Sequence, residues 1–434
     1  QKTRLPKLWQ ATSAAVATLT VNSGSSLLPK PWKDTTIALT NYRFGGLVVV
    51  HAANIINNGT ITAAGRGFRG GQLGGAVFTY SITDYVSSLP INGGEKGEGI
   101  FGYQPEYDLN GGRYCRGAPA NGGGGGNSVN SSGGGGGNGD NSNTWTGQGV
   151  MIVNVSNPLA AWMLDPGYIA NSNALTNSSG GGRGGHSWSH ANGNALLDAP
   201  GVGLWMGDLR REVGGLGGRP LNNINAETRI YFGGGGGSGH ANDNGGTAGS
   251  TGGGIVYLVT TSAITGTGSI VSNGNAVPMS GGCHCDGVGG GGAGGSIVIK
   301  TPAIVASQNV MVNGGNGGSQ LTPAFPGNPF ESESAGGGGG GGFVAVSAVG
   351  PVPALNGGLN GNTLSNSLTE FPFNGATQGS TGQTGTVTSS FVTYVPTITL
   401  TSNSPVCSGS ILSFTSAAAT SYTWTGPNGF SSFI

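Results

Sequence analysis

Apolar residues in this chain fall in short runs rich in Val and Ile, and several of those runs are entered from glycine. Gly252-Gly253-Gly254 opens onto Ile255-Val256-Tyr257-Leu258-Val259, the stretch Gly289 to Gly295 onto Ile297-Val298-Ile299, and Gly336 to Gly342 onto Phe343-Val344-Ala345-Val346. After a turn, the first two continue into Ile270-Val271 and Val310-Met311-Val312, closing on Asn273-Gly274 and Asn313-Gly314. An early copy runs Leu47-Val48-Val49-Val50, then Gly59-Thr60-Ile61-Thr62 to Gly65; a weaker one begins at Val150-Met151-Ile152-Val153. β-Branched runs bounded by Gly, Asn and Pro are strand signals. Helix is disfavoured, because glycine costs about 1 kcal/mol per helix position relative to alanine. One strand–turn–strand unit recurring in fixed order marks a stacked architecture. The pattern therefore predicts an all-β chain built on a glycine-rich β-solenoid or β-helix-like domain. Ile255, Tyr257, Val259, Ile297 and Ile299 are expected on one face of its core.

Composition sharpens this picture. Of 434 residues, 92 are glycine, about three times the ordinary share. Further runs lie at Gly122 to Gly126, at Gly133 to Gly137, around Arg183 and at Gly233 to Gly237. Such tracts are either flexible linkers or extended left-handed helices packed side by side, where no Cβ fits between the backbones. Their return at the start of several strands favours packed polyglycine.

Charge removes whole classes of partner. Seventeen basic side chains balance seventeen acidic ones, and charged residues make up 8%. Nucleic acid needs a basic surface, anionic membranes a polybasic patch, and a membrane helix about 20 apolar residues; the sequence offers none of these. It opens on Gln1-Lys2-Thr3 without a Met start or a secretory apolar region, which reads as an already processed chain.

Four regions follow from these shifts. Residues 1–46, with Trp9, Trp32 and Phe44, read as an N-terminal cap, and residues 47–349 as the glycine-rich repeat domain with long loops. One of those loops, 76–118, holds Tyr80, Tyr85, Glu95, Glu98, Phe101, Tyr103, Glu106 and Tyr107. Residues 350–395 read as a connector and residues 396–434 as an incomplete immunoglobulin-like sandwich, with Cys407 followed 17 positions later by Trp424. Such a sandwich needs about seven strands, so the natural polypeptide is expected to be longer.

The segments Ser404-Pro405-Val406-Cys407-Ser408-Gly409-Ser410 and Ser421-Tyr422-Thr423-Trp424-Thr425-Gly426-Pro427-Asn428-Gly429-Phe430 are similar to Ig-like or PKD-like repeats of very large Bacteroidota surface proteins. Those repeats belong to adhesins exported by the type IX secretion system, gliding-motility adhesins among them. The glycine cassettes resemble glycine-rich β-solenoid modules of bacterial surface proteins, and also phage tail-fibre tip adhesins with sandwiched glycine helices. The resemblance implies a secreted, cell-surface adhesin or filament head before an Ig-like stalk. Its partners would be polysaccharide or a solid surface, with secretion or motility machinery as a further candidate. It transfers no binding residue.

Candidate chemistry is sparse. Cys115 can form a disulfide with Cys283 or Cys285, as expected outside the cell. The other readings are unpaired thiols, or half a zinc site in Cys283-His284-Cys285-Asp286. His186, Trp188 and His190 alternate, so a strand would put them on one face; they form a binding platform or a loop packed over the stack. Trp145, Trp162, Trp188 and Trp205 stand in or near glycine-rich loops, where they stack on sugar rings or plug gaps. Gly139-Asp140-Asn141 and Asn242-Asp243-Asn244 offer oxygen ligands for calcium, but the nonapeptide of calcium β-rolls is missing. No cofactor is expected. A carbohydrate-active solenoid enzyme, glycosidase or lyase, using the acids of 76–108 is the alternative to a non-enzymatic adhesin. It should show carboxylates paired by successive coils, and residues 255–318 contain one acid, Asp286.

Overall fold

The computed structural model describes residues 16–37, 40–74, 84–127, 130–147, 178–186, 214–242, 245–279, 286–321, 334–364, 373, 375–388, 400–404, 410–411, 413–416, 423–425 and 431–433. The chain divides into two compact units, Gln1–Ser389 and Ser390–Ile434.

The first unit opens with β1 (Val16–Val21), β2 (Ser26–Leu27), the antiparallel pair β3 (Lys33–Ile37) and β4 (Thr40–Phe44), the long β5 (Leu47–Asn57) and β6 (Thr60–Thr62). A 3-10 turn at Pro90–Asn92 and helix α1 (Gln104–Leu109) are the helical elements among the described residues. Strands resume with β7 (Ile255–Thr260), β8 (Ala263–Thr265) and β9 (Ser269–Val271). They continue with β10 (Ser296–Lys300), β11 (Ala303–Ile304), β12 (Asn309–Met311), β13 (Phe343–Val346) and β14 (Gln383–Gly385).

Seven of these strands form one sheet in the order β11-β8-β5-β7-β10-β13-β14, with β1 paired alongside β5; β12-β9-β6-β2 form a second. Every pairing within both sheets is parallel. This corrects the expected all-β solenoid. The main sheet is a curled, half-barrel parallel sheet of the kind met in α/β chains, though with few helices. Its neighbours are not consecutive coils: β5 lies against β7 although residues 58–254 separate them. The described glycine runs of that intervening chain form a block of a different kind.

Register is set by the end of each glycine run. Leu47 stands opposite Ile255, Ile255 opposite Ser296, Ser296 opposite Phe343 and Phe343 opposite Gln383. Each of the five directly follows a glycine. Ile297 is thereby level with Val256 and Val344, and Val298 with Tyr257. The expectation that Ile255, Tyr257 and Val259 share a face with Ile297 and Ile299 is wrong by one residue. Because side chains alternate along a strand, that single step sends them to opposite faces. The core between the two sheets takes Val48, Ala52, Ile55, Ile61, Val256, Leu258, Ile264, Ile270, Ile297, Ile299, Val310 and Val344. The other face of the main sheet carries a smaller cluster of Val298, Phe343, Ala345 and Ala226, with Tyr257 packed against it.

The glycine runs are ordered rods. Gly336, Gly339 and Gly342 donate their N–H groups to the carbonyls of Gly318, Gly315 and Val312. Gly337 and Gly340 donate to Gly133 and Gly136, and Gly338 and Gly341 to Thr377 and Ser380. The donors thus point to three neighbours in rotation, as a helix of three residues per turn requires. The next rod repeats the rule. Gly290 and Ala293 donate to Gly237 and Gly234, Gly291 and Gly294 to Gly337 and Gly340, and Gly292 and Gly295 to Asn275 and Ser272. Lone glycine tracts are entropically costly to order; here the hydrogen bonds of all neighbours share that cost. Where a connector was expected, described residues at 355–358 and 379–382 continue the array: Gly358 donates to Gly339, Gly379 to Gly358 and Gly382 to Leu355.

The second unit contains β15 (Leu400–Ser402) paired with β16 (Phe414–Ser416), and β17 (Thr423–Thr425) paired with β18 (Ser431–Phe433), both antiparallel. Two antiparallel pairs thus stand among its described residues.

Candidate functional site

A cavity of about 460 Å³ opens where the loop around α1 meets the glycine array. Its lining residue Lys96 is carried on residues 94–98, which are laid on the rods by backbone bonds: Gly94 donates to Gly126 and Gly97 to Gly123, while Glu95 accepts from Ser238. Glycine at 94 and 97 is required by space, since a Cβ at either would come within 3 Å of a neighbouring carbonyl. Lys96, between them, is 1% exposed, lines the cavity and donates from Nζ to the Tyr114 carbonyl.

Helix α1 supplies the aromatic wall. Glu106 accepts the Tyr103 N–H at 2.9 Å and Pro105 sits in the first turn, two features that start a short helix. Tyr107 is buried and donates its hydroxyl to the Gly97 carbonyl at 2.8 Å. Phe101 stacks on it, ring centroids 5.6 Å apart and planes 11° apart. Opposite them, Trp145 donates from Nε1 to the Gly217 carbonyl at 3.2 Å, and the Arg219 guanidinium lies 3.8 Å over its ring. Arg219 is itself oriented by a bond from Nε to the Ala118 carbonyl at 3.1 Å. Tyr85, Val86, Ala118, Pro119 and Leu216 complete the apolar lining.

The charges around the cavity are cationic. Burial pushes Lys96 down to about 7, with Cys115 nearby acting against that shift. Burial also lowers Arg219 and, one position before the lining Gly117, the fully enclosed Arg116. Arg116 lies 4.7 Å over the Tyr85 ring, and its Nε and Nη2 find no hydrogen-bond partner among the described residues.

The acids of this loop are engaged elsewhere. Glu98 receives Arg69 at 2.8 Å and the Trp32 indole at 3.1 Å; Glu106 receives Arg43 at 2.9 Å; Asp108 pairs with Arg113. Arg43 and Arg69 meet again on Asp34, at 2.8 and 2.7 Å, which ties the β3–β4 pair to α1. Burial opposes ionisation of Asp34, but its bonds from Arg69 and Arg43 hold it below the ordinary carboxylate range. Glu95 is raised by burial, against a bond from Gln104 and the charge of Arg113. None of these four loop carboxylates lines the cavity.

The chain matches no family model, no curated protein and no solved structure. The geometry of the cavity therefore stands without a relative to interpret it.

Of the candidates read from the sequence, Trp145 is placed in this cavity. His186 is elsewhere: it is buried and accepts the Gly214 N–H on Nδ1 at 3.3 Å. Trp188 and His190 lie outside the described residues, as do Cys283 and Cys285. Cys115 is buried, with positive φ (74°), and its thiol donates to the Asn92 carbonyl at 3.3 Å. Among the described residues no three His, Cys, Asp or Glu side chains cluster as a metal site. No helix of the described residues is long and apolar enough to cross a membrane. Sequence reasoning missed Lys96, Arg116 and Arg219. The one signal for Lys96 was its place in Gly94-Glu95-Lys96-Gly97-Glu98, a charged residue between two glycines that must touch backbone.

Proposed function

We propose that the chain is the head of a secreted, cell-surface adhesin that binds polysaccharide without cleaving it. The observation that carries this reading is the aromatic cavity of Tyr85, Phe101, Tyr107 and Trp145, about 460 Å³, held by loops on a block of hydrogen-bonded rods. Sites that hold small ligands are concave, mostly apolar and aromatic, with few polar groups to orient the ligand. Flat aromatic faces suit the apolar faces of sugar rings, and rods fixed by hydrogen bonds give the loops that carry them a rigid base. Aromatic walls with the loop carboxylates held in ion pairs favour binding over hydrolysis, which calls for two free carboxyl groups flanking one bond. The resemblance of the C-terminal segment to repeats of type IX-secreted Bacteroidota adhesins supports display at the cell surface, and gliding motility as a setting.

A glycan array read with the whole chain, alongside a reducing-end assay on every glycan that binds, tests this. Binding without product is expected. Trp145→Ala should weaken it by on the order of tenfold, the equivalent of about 1.4 kcal/mol. Specific cleavage of any bound glycan, or binding indifferent to Trp145→Ala, would refute the proposal.

A further inference from the structure

The cavity has two charged lining residues among those described, and both are cations. Lys96 sits at its floor with one hydrogen-bond acceptor, the Tyr114 carbonyl, for three donor positions. Arg219 sits exposed at its rim, using Nε on the Ala118 carbonyl. Neither forms an ion pair with a described carboxylate, although other arginines do so repeatedly: Arg43, Arg69 and Arg113 each have two. Behind the wall, Arg116 adds a third positive charge, enclosed and also without a carboxylate. In a chain whose acids and bases are equal in number, three uncompensated cations around one cavity are a local departure. A buried charge is costly unless it is paired, and neither of the two buried ones, Lys96 and Arg116, meets an acid within the described protein.

We propose that the cavity binds an acidic sugar, one bearing a carboxylate or sulfate, with that group on Lys96 and the ring against Trp145 and Phe101. The proposal rests on the polysaccharide reading and narrows it to anionic glycans. Below about pH 7, where it keeps its proton, Lys96 supplies a point charge at the floor, while the planar guanidinium of Arg219, already stacked on Trp145, presents its remaining N–H donors at the rim. Arg116 makes no direct contact but adds to the positive potential inside the apolar wall.

The test is direct titration of the whole chain with uronate-bearing and sulfated oligosaccharides, each against its neutral counterpart, the methyl ester or the desulfated form. At least one acidic oligosaccharide should bind tenfold or more tightly than its neutral partner, and rising NaCl should erode the difference. Lys96→Met should abolish that preference without lowering the melting temperature, because it removes an unpaired buried charge. Arg219→Gln, at the exposed rim, should reduce the preference independently, so a folding failure at position 96 does not protect the idea. Equal affinity for acidic and neutral partners, with Trp145→Ala still disrupting both, overturns the anionic inference and leaves polysaccharide binding intact. Absence of binding to every glycan, acidic and neutral, overturns both.

Discussion

A methyl group on Gly339 would fall within 3 Å of the Gly292 carbonyl oxygen, which already accepts the Gly315 N–H. The oxygen cannot withdraw without breaking a bond in the next rod. Gly339→Ala is therefore expected to destabilise the chain by about 1–3 kcal/mol, the range for overpacking, and to outweigh the ~0.4–1 kcal/mol that alanine gives through the unfolded state. Gly74→Ala is the matched control, since the nearest atom to its Cβ is on the Tyr114 ring at 3.9 Å. Equal melting temperatures for the two variants would sink the rod assignment. Lys96 carries a second prediction at this scale. It loses its proton near pH 7 in the folded chain and near its ordinary 10.5 when unfolded. Between those values the unfolded state holds the extra proton, so the contribution of Lys96 to stability grows as pH rises through that window and is flat above it. Relative to Lys96→Met, the parent should gain melting temperature from pH 7 to 10; a constant difference would contradict the burial of the ammonium.

At the scale of elements, β10 is the strand most enclosed. Ile297 is fully buried between Val256 on β7 and Val344 on β13. Ile297→Asp should cost on the order of 4 kcal/mol, because it strands a charge in that core. Val49→Asp, on the exposed face of β5 at 50% exposure, should cost far less, and urea midpoints of the two variants would rank them. The existence of these strands was legible from their β-branched runs, and so was the order of the glycine tracts. Their register was also written in the chain, in the last glycine before Leu47, Ile255, Ser296, Phe343 and Gln383. Reading apolar residues alone hid it, because Ser296 and Gln383 open two of the strands. The parallel sheet was not legible, since nothing local in Asn58–Gly254 says that this stretch leaves the sheet and returns. The cavity was half legible. Trp145 and the aromatic loop stood out, whereas Lys96, Arg116 and Arg219 come together only through bonds between residues a hundred positions apart, such as Arg219 to Ala118.

The whole first unit is held by contacts between distant parts of the chain. Gly135 accepts from Gly218, and its added Cβ would strike the Gly338 carbonyl, so the two glycine runs share one packing environment. Gly135→Ala and Gly339→Ala should consequently lower the same melting transition, seen by calorimetry on the whole chain. Separate transitions for the two variants would show that the rods are independent. Refolding from urea should be slow, seconds or longer, because partners so far apart in sequence must close large loops before any rod gains its neighbours.

The bar against a Cβ along the rods also governs how such a molecule can diversify. A rod position offers almost no viable single substitution, as the carbonyls around Gly133 to Gly137 and Gly336 to Gly342 show. Away from the rods the restriction lifts, as at Gly74, and doubling a loop's length costs only about 0.6 kcal/mol in closure entropy. Drift is shut out of the frame and admitted at its tips. Lineages carrying this architecture would change their targets by exchanging and lengthening loops while the glycine frame beneath stays the same.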